Sequence, residues 1–364
     1  MRINAKRYSA ASRYKVIGLM SGTSLDGLDM VCCEFLLKNK EWKFRIEASE
    51  TLRYSSKWYT RLAEAHLLSG EALQLLDNDF GFFIGHACNK FIKKNTIKGV
   101  QFIASHGHTV FHQPKKRLTF QLGNGNAIHQ KTGIPIVNDF RSLDVLKGGE
   151  GAPLVPIGDH LLFAEFDVCL NLGGIANLSR VEKEKRKAFD VCFANMGLNY
   201  LAKKLDMVYD KDGKEASKGK VNENMIVDLC KQYAQWRAVR PSLGREGFEK
   251  SIQPILNNEA ISLQDRLRTV VESIAMEISN SLPKSNIRML VTGGGALNSF
   301  LIQCIQEKLG SKVKVIVPDT SVVNYKEAIV FALLGILRLR NEVNVLKSVT
   351  GAPTGSTAGV MIGF

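Results

Sequence analysis

The sequence predicts a mixed α/β protein built as two domains. Three observations carry that prediction. A glycine hairpin recurs in altered form after about half the chain, short apolar runs of strand character alternate with longer segments of helical period, and 364 residues exceed what one core usually serves.

The first hairpin, Gly22-Thr23-Ser24-Leu25-Asp26-Gly27, sits between apolar runs at 16–20 and 28–37, with Leu28 and Asp29 opening the second run. Leu76, Phe80, Phe83, Ala87 and Phe91 recur at helical spacing within 72–94. A short strand at 101–105 leads into His106-Gly107-His108, and a second at 118–122 ends in the turn Gly123-Asn124-Gly125. A helix over 127–132 stops at Gly133, and 134–137 reads as a strand. The stretch 138–156 is polar, glycine-rich and aperiodic, holding Asp139, Arg141, Asp144, Gly148 to Gly151 and Pro153. A loop of that length in a compact domain is more often functional than idle, and it falls where a hinge between domains is expected.

The second hairpin, Gly173-Gly174-Ile175-Ala176-Asn177, lies between runs at 168–172 and 178–181. Helices follow over 195–205, 221–238, 263–282 and 298–309; either Asn222 or Ser217 can cap the second of them. The strand 289–292 runs into Gly293-Gly294-Gly295 just ahead of a helix. A strand at 313–316, an apolar helix at 325–339 and a last strand at 359–362 complete the chain. With that last strand returning to the first domain, the expected division is 1–137 plus 346–364 against 138–345.

Composition narrows the class. Hydrophobic residues make up 45% and charged residues 23%, ordinary values for a globular protein. No apolar run approaches the roughly 18–20 residues of a membrane-spanning helix, and residues 1–13 read as a short basic tail without a signal peptide. Seven cysteines are scattered with no C-x-x-C pair, which reads as reduced, buried thiols in a cytoplasmic protein. The net charge of +14 is dispersed, and its densest cluster, Lys183-Glu184-Lys185-Arg186-Lys187, has the mixed sign of a hairpin tip. No nucleic-acid motif accompanies it, so the expected partner is a small anionic molecule, with neither nucleic acid nor membrane.

The chemistry concentrates at the turns. Glycine lets backbone N–H groups approach a ligand closely, since no Cβ intervenes and positive φ is allowed. Hydroxyls such as Thr23 and Ser24 suit phosphate; a carboxylate such as Asp26, with Asp29 close by, suits Mg²⁺. An ordinary Asp- and Ser-stabilised turn explains the first hairpin equally well in isolation. Gly293 to Gly295 after a strand and before a helix make a second reasonable nucleotide pocket. Neither a P-loop nor a G-x-S-x-G elbow occurs. His106, His108 and His112 fall within seven residues and suit a metal, sugar hydroxyls or an exposed loop. Asp190, at the end of an expected strand, is placed for general-base work or for a turn, while Glu327, opening the helix at 325, suits either substrate or the helix dipole.

These residues together resemble one family. The segments Gly18 to Gly27, Ser105 to Val110, Asp139-Phe140-Arg141, Gly148 to Pro156, Asn171 to Ser179, Gly244-Arg245-Glu246, Thr292 to Asn298 and Ser348 to Ala352 closely resemble the anhydro-N-acetylmuramic acid kinases. That family belongs to the sugar kinase/Hsp70/actin superfamily, and the similarity runs from about 16 to 362. The resemblance implies two actin-like (ribonuclease H-like) domains around an interdomain cleft for nucleotide and sugar. It implies ATP with Mg²⁺ as cofactors and 1,6-anhydro-N-acetylmuramic acid, released in cell-wall recycling, as substrate. Water opens the anhydro ring and O6 takes the γ-phosphate, giving N-acetylmuramic acid 6-phosphate. On this reading Asp190 is the general base, Gly22 through Asp29 with Asn171, Gly173, Gly174 and Gly293 to Gly295 hold ATP, and Asp26 meets the metal. His106, Arg141, Asp144 and Glu327 face the sugar.

Two departures stand out. Where the family has Asp-Thr-Gly-Pro-Gly-Asn, this chain reads Asp190-Val191-Cys192-Phe193-Ala194-Asn195, and the usual Gln after His-Gly is His108. A kinase of a different sugar or amino sugar, and a non-catalytic actin- or chaperone-like nucleotide switch, remain open beside the main reading. A homodimer is among the assemblies open to such a chain.

Overall fold

The computed structural model describes residues 11–283 and 285–364. The basic tail expected at 1–13 lies mostly outside the described residues, and Arg13 already opens the first strand. The chain forms two compact units: one runs up to Leu162 and resumes at Tyr325–Phe364, and the other is Phe163–Asn324.

In the first unit, β1 (Arg13–Ser21), β2 (Leu28–Lys38) and β3 (Glu41–Leu52) form an antiparallel meander. β4 (Phe102–Gln113) joins the free edge of β1 in parallel, and β6 (Ile136–Asn138) joins β4 in parallel. β5 (Leu118–Leu122) hairpins onto β4. In the second unit, β7 (Val168–Leu172), β8 (Ile175–Glu182) and β9 (Lys185–Phe193) repeat the meander. β10 (Ile287–Thr292) and β11 (Val313–Ile316) then add in parallel beyond β7. β12 (Val360–Ile362) returns to pair antiparallel with β6, so the first unit is discontinuous, as expected. The two sheets therefore read β12-β6-β4-β1-β2-β3 and β11-β10-β7-β8-β9. The same five-strand topology occurs twice, and in each copy the glycine hairpin links its first two strands. That duplication is the ribonuclease H-like architecture the resemblance implies.

Helix boundaries follow local chemistry. Ser69 caps Gly70–Lys94 by accepting from Ala72 N, and that helix buries Leu76, Phe80, Ala87 and Phe91 against the first sheet. Asn222 is the cap chosen for Glu223–Val239, since its side chain accepts from Met225 N. In Thr320–Leu339 the run Ala328 to Leu334 is buried on every side, the mark of a core helix. It lies directly on β1: a Cβ on Gly18 would stand 1.9 Å from the carbonyl oxygen of Ala328.

Several expectations are corrected here. The units divide at 162/163 and 324/325, not at 137/138 and 345/346. The reason is that 138–156 is bonded into the first unit: Glu150 N donates to Thr350 O at 2.8 Å, and Thr350 Oγ1 donates to Asp144 Oδ1 at 3.0 Å. Within that stretch Ser142–Leu146 is a short helix, so it is not a bare hinge. The His106-Gly107-His108 segment lies inside β4, not at a strand end, because β5 extends the pairing to Gln113. The apolar helix begins at Thr320, so Glu327 sits two turns in and gains nothing from the helix N-terminus.

Gly18→Ala is expected to lower unfolding stability by about 3 kcal/mol, because backbone cannot yield to the new methyl as a side chain would. Urea denaturation measures it, and an unchanged midpoint would refute the close approach.

Candidate active site

The first unit presents the phosphate-type turn. Ser21 ends β1, Leu25 N donates to Gly22 O at 3.2 Å to close the turn, and Thr23, Ser24 and Asp26 are exposed at its tip. Behind it, Ser21 Oγ accepts from the Tyr54 hydroxyl at 2.7 Å and lies 3.0 Å from His108 Nδ1. Burial lowers His108 to about 4, so its ring is neutral at pH 7. The glutamine-to-histidine departure thus ends in a specific contact at the base of the turn. Asp29 accepts from Thr51 Oγ1 at 2.5 Å. Burial raises its pKa, the threonine bond opposes the rise, and the nearby Asp26 charge adds to it. A cation at this turn would relieve that crowding, so the residues present fit Mg²⁺ and phosphate.

The same unit gathers residues expected to face a sugar around Arg141. Its Nε donates to His106 Nε2 at 2.9 Å and its Nη1 to Gly151 O at 2.7 Å. Since a guanidinium only donates, His106 accepts at Nε2 and donates from Nδ1 to Gly107 O at 2.9 Å. Burial, with the Arg141 charge, holds the His106 pKa well below its ordinary value. Both ring nitrogens are therefore occupied inside the fold, which removes His106 as a metal ligand and as a direct sugar contact; it positions Arg141. Arg141 falls to about 10 through burial, opposed by Glu327, and stays cationic at neutral pH. Glu327 is exposed by area yet closely surrounded, and that crowding raises its pKa, with Arg141 pulling down and Asp29 pushing up.

Asp144 departs from expectation. It is 0% exposed, with Oδ2 accepting from Gly151 N at 2.9 Å and Oδ1 from Thr350. It fastens the glycine loop to the C-terminal segment and does not face a ligand. The ion pair of Lys326 with Asp159, 2.6 Å apart and nearly closed to solvent, does similar work and carried no signal in the sequence.

In the second unit, strand register assembles the site. Thr292 pairs with Asn171, Asn171 with Asn177, and Asn177 with Asp190. In-register neighbours on adjacent strands share a face, so these four form one polar row. With strands about 4.8 Å apart, Asp190 lies about 10 Å from Asn171 along it. The opposite face carries Leu172, Ala176 and Cys192, all in the core. Gly293 follows Thr292 with φ 82°, and a Cβ there would stand 2.6 Å from Asn171 Oδ1. Gly173 and Gly174 accept from the N–H groups of Asn195 and Ala194, joining this turn to the helix Asn195–Lys203.

Asp190 lies inside β9, not at its end, because the apolar run that replaces the family's glycines continues the strand. Val191 bulges between the Asn177–Asp190 and Ala176–Cys192 pairs, and Val191 to Ala194 are buried. Asp190 Oδ2 accepts from Leu243 N at 2.8 Å; burial raises its pKa and this bond partly offsets the rise. Asn177 and the Leu243 amide escaped the sequence reading. The six-residue spacing of two asparagines across a Gly-Gly turn was the available signal for Asn177; nothing local announced Leu243.

A duplicated ribonuclease H-like fold with a ligand-ready glycine turn in each copy defines a protein of the actin-like class. A profile of the family described as Anhydro-N-acetylmuramic acid kinase matches residues 14–363. Anhydro-N-acetylmuramic acid kinase of Mannheimia succiniciproducens is 34% identical over 95% of this chain and 98% of its own. That of Sulfurimonas denitrificans is 32% identical over 95% and 98%, and that of Clostridioides difficile 33% over 92% and 95%. The chain belongs to the anhydro-N-acetylmuramic acid kinase family.

Asp144→Ala is expected to destabilise the protein by about 1–3 kcal/mol, since it strands the buried Gly151 N–H and leaves Thr350 Oγ1 only its longer bond to Leu346 O. Denaturant titration reads this directly, and an unchanged stability would return Asp144 to the ligand-facing set.

Proposed function

We propose that this chain opens 1,6-anhydro-N-acetylmuramic acid with water and phosphorylates the released O6 from ATP, yielding N-acetylmuramic acid 6-phosphate in cell-wall recycling. Family membership supports kinase action on this sugar, and the observation carrying the residue roles is the polar row that ends on Asp190 beside the Gly293 turn. Asp190, an acceptor-only carboxylate held by the Leu243 amide, takes a proton from water as the oxygen attacks C1. The C1–O6 bond breaks, and O6 then attacks the γ-phosphorus with ADP leaving. Arg141, cationic and fixed by His106 and Gly151, suits the lactyl carboxylate through the edge of its guanidinium left open. Glu327 orients sugar hydroxyls beside it.

The exposed turn from Gly22 to Asp29 and the glycines at 173–174 and 293–295 supply bare amides for phosphate oxygens, with Asp26 and Asp29 as the carboxylates for Mg²⁺. When bound, that ion neutralises phosphate charge as the γ-phosphoryl group transfers. His106 and Asp144 act through Arg141 and the glycine loop. Among the described residues no helix is long and apolar enough to cross a membrane. Among the described residues no disulfide joins any of the seven cysteines, which suits a cytoplasmic setting for a recycling enzyme.

Asp190→Asn is expected to lose about 100- to 10,000-fold in turnover while nucleotide affinity stays near wild type, measured by coupled assay and calorimetry. Near-normal turnover would strip Asp190 of its role. Because the base acts deprotonated and its pKa is raised, kcat/KM should climb with pH through a value above the ordinary aspartate range and then level. A profile flat down to pH 4 would contradict this. In ¹⁸O-labelled water, the product should carry label at C1 and phosphate at O6; label in phosphate instead would mean simple ATP hydrolysis.

A further inference from the structure

The first unit holds a polar cavity whose lining includes His106, Asp139 and Ser142 but not Arg141 itself. Phe102 and Ala104 of β4 face the helix Thr320–Leu339, where a Cβ on Gly335 would touch both, and His106 continues that face by packing on Phe331 at 4.6 Å. The alternate residues face the other way. Ile103 pairs with Ile136, and both belong to the core beneath Gly70–Lys94. Two residues on, Ser105 pairs with Asn138. This pair stands where the apolar core gives way to a cavity of about 270 Å³ whose lining includes Asp77, Ser105, Gln121, Asn126, Asn138 and Asp139.

Ser105 is 1% exposed, and its hydroxyl has no hydrogen-bond partner among the described residues; neither does the buried Asn138 Oδ1. Buried polar atoms in folded proteins nearly always find partners, so two adjacent orphans lining one cavity point to a missing ligand. Its chemistry can be read from the lining. No lysine or arginine lines the cavity, while Asp77 and Asp139 do. Asp77 spends Oδ1 on Gly123 N and Asp139 spends Oδ1 on Ser142 N, leaving acceptor capacity on each. Gln121 spends one amide N–H on Thr119, which leaves its other N–H and its carbonyl oxygen. The adjoining helix N-terminus is already capped by the Asn124 side chain. An anion is therefore disfavoured and a ligand rich in donors favoured. At about 30 Å³ each, some nine water molecules would fill this volume, far more than one ion displaces. Among the described residues no cluster of His, Cys, Asp and Glu suits a metal either.

We propose that this cavity is a binding site for one neutral, hydroxyl-rich molecule of monosaccharide size, with Ser105 and Asn138 forming its floor. Neither Arg141 nor Glu327 lines this cavity, and its ligand lacks the carboxylate that Arg141 suits.

The test uses the full chain and three probes: glucose, N-acetylglucosamine and glucose 6-phosphate, titrated by calorimetry and ligand-detected NMR. At least one neutral sugar should bind saturably, at least tenfold more tightly than the phosphate ester. Binding should survive Arg141→Ala and weaken at least tenfold in Ser105→Val. Because Ser105 is buried, Asn126→Ala at the exposed rim provides a second variant that does not threaten folding, and it too should weaken binding severalfold. No binding by either neutral sugar, binding lost with Arg141→Ala, or binding indifferent to both Ser105→Val and Asn126→Ala would each overturn the proposal. In the first case the cavity holds only water, and the proposed kinase role of the other face is untouched.

Discussion

Hydrogen-bond register in the second sheet is the constraint on which the candidate chemistry depends. Side chains alternate faces with a period of two, so a slip of one residue between β8 and β9 would turn Asp190 into the core and Cys192 outward. The core prevents that slip. Leu172, Ala176 and Cys192 interlock on the buried face, and the bulge at Val191 absorbs the one extra residue without moving the Asn177–Asp190 pair. A buried apolar patch thus fixes the position of a carboxylate that never touches it.

The first unit reaches positional precision by a different route. Its key group is a cation, and a guanidinium half-withdrawn from water keeps its place only if its N–H groups are satisfied. His106 and the Gly151 carbonyl do this, and each is held in turn: His106 by Phe331 and its own strand, Gly151 by Asp144 and, through that carboxylate, by Thr350 near the C-terminus. The chain of contacts explains why residues far apart in sequence must fold as one unit. It also explains why the glycine loop belongs with the first sheet despite looking like a hinge. A fixed guanidinium presents a defined edge to a carboxylate, which a lysine on a flexible stem would not.

Much of this was legible in the sequence. Two glycine hairpins, the alternation of strands and helices, and the returning last strand gave the duplicated α/β architecture, because glycine turns and apolar periods are local signals. Asp190 and Arg141 were also legible as candidates. What escaped notice depends on long-range pairing. The β5 hairpin that carries β4 past His106 depends on residues up to sixteen positions away. Helix Thr320–Leu339 starts early because Ser321 to Asn324 continue its turns, although their polar and β-branched character reads as loop. Asp144 looked like a ligand-facing acid because burial leaves no mark on a single residue. The replaced glycines after Asp190 read as a departure from the family; in the folded chain Val191, Cys192 and Phe193 complete the strand.

The electrostatics follow from the same economy of space. Asp29, Asp190 and Glu327 all have raised pKa values, and in each the first cause is burial rather than a neighbouring anion. Three carboxylates paired within the fold behave otherwise: Glu34, Glu182 and Glu272 sit against arginines or lysines and are pushed down. The contrast separates two jobs for one side chain. A carboxylate meant to stabilise the fold is supplied with its cation by the chain, whereas one kept short of a full partner stays available to something brought from outside. Among the described residues Asp29 accepts from a threonine hydroxyl, Asp190 from an amide, and Glu327 feels the charges of Arg141 and Lys326. Burial raises Asp77 and Glu277 as well, Glu277 beside Arg237, so what sets these three acids apart is their place at the glycine turn, in the polar row and near Arg141 rather than the shift itself.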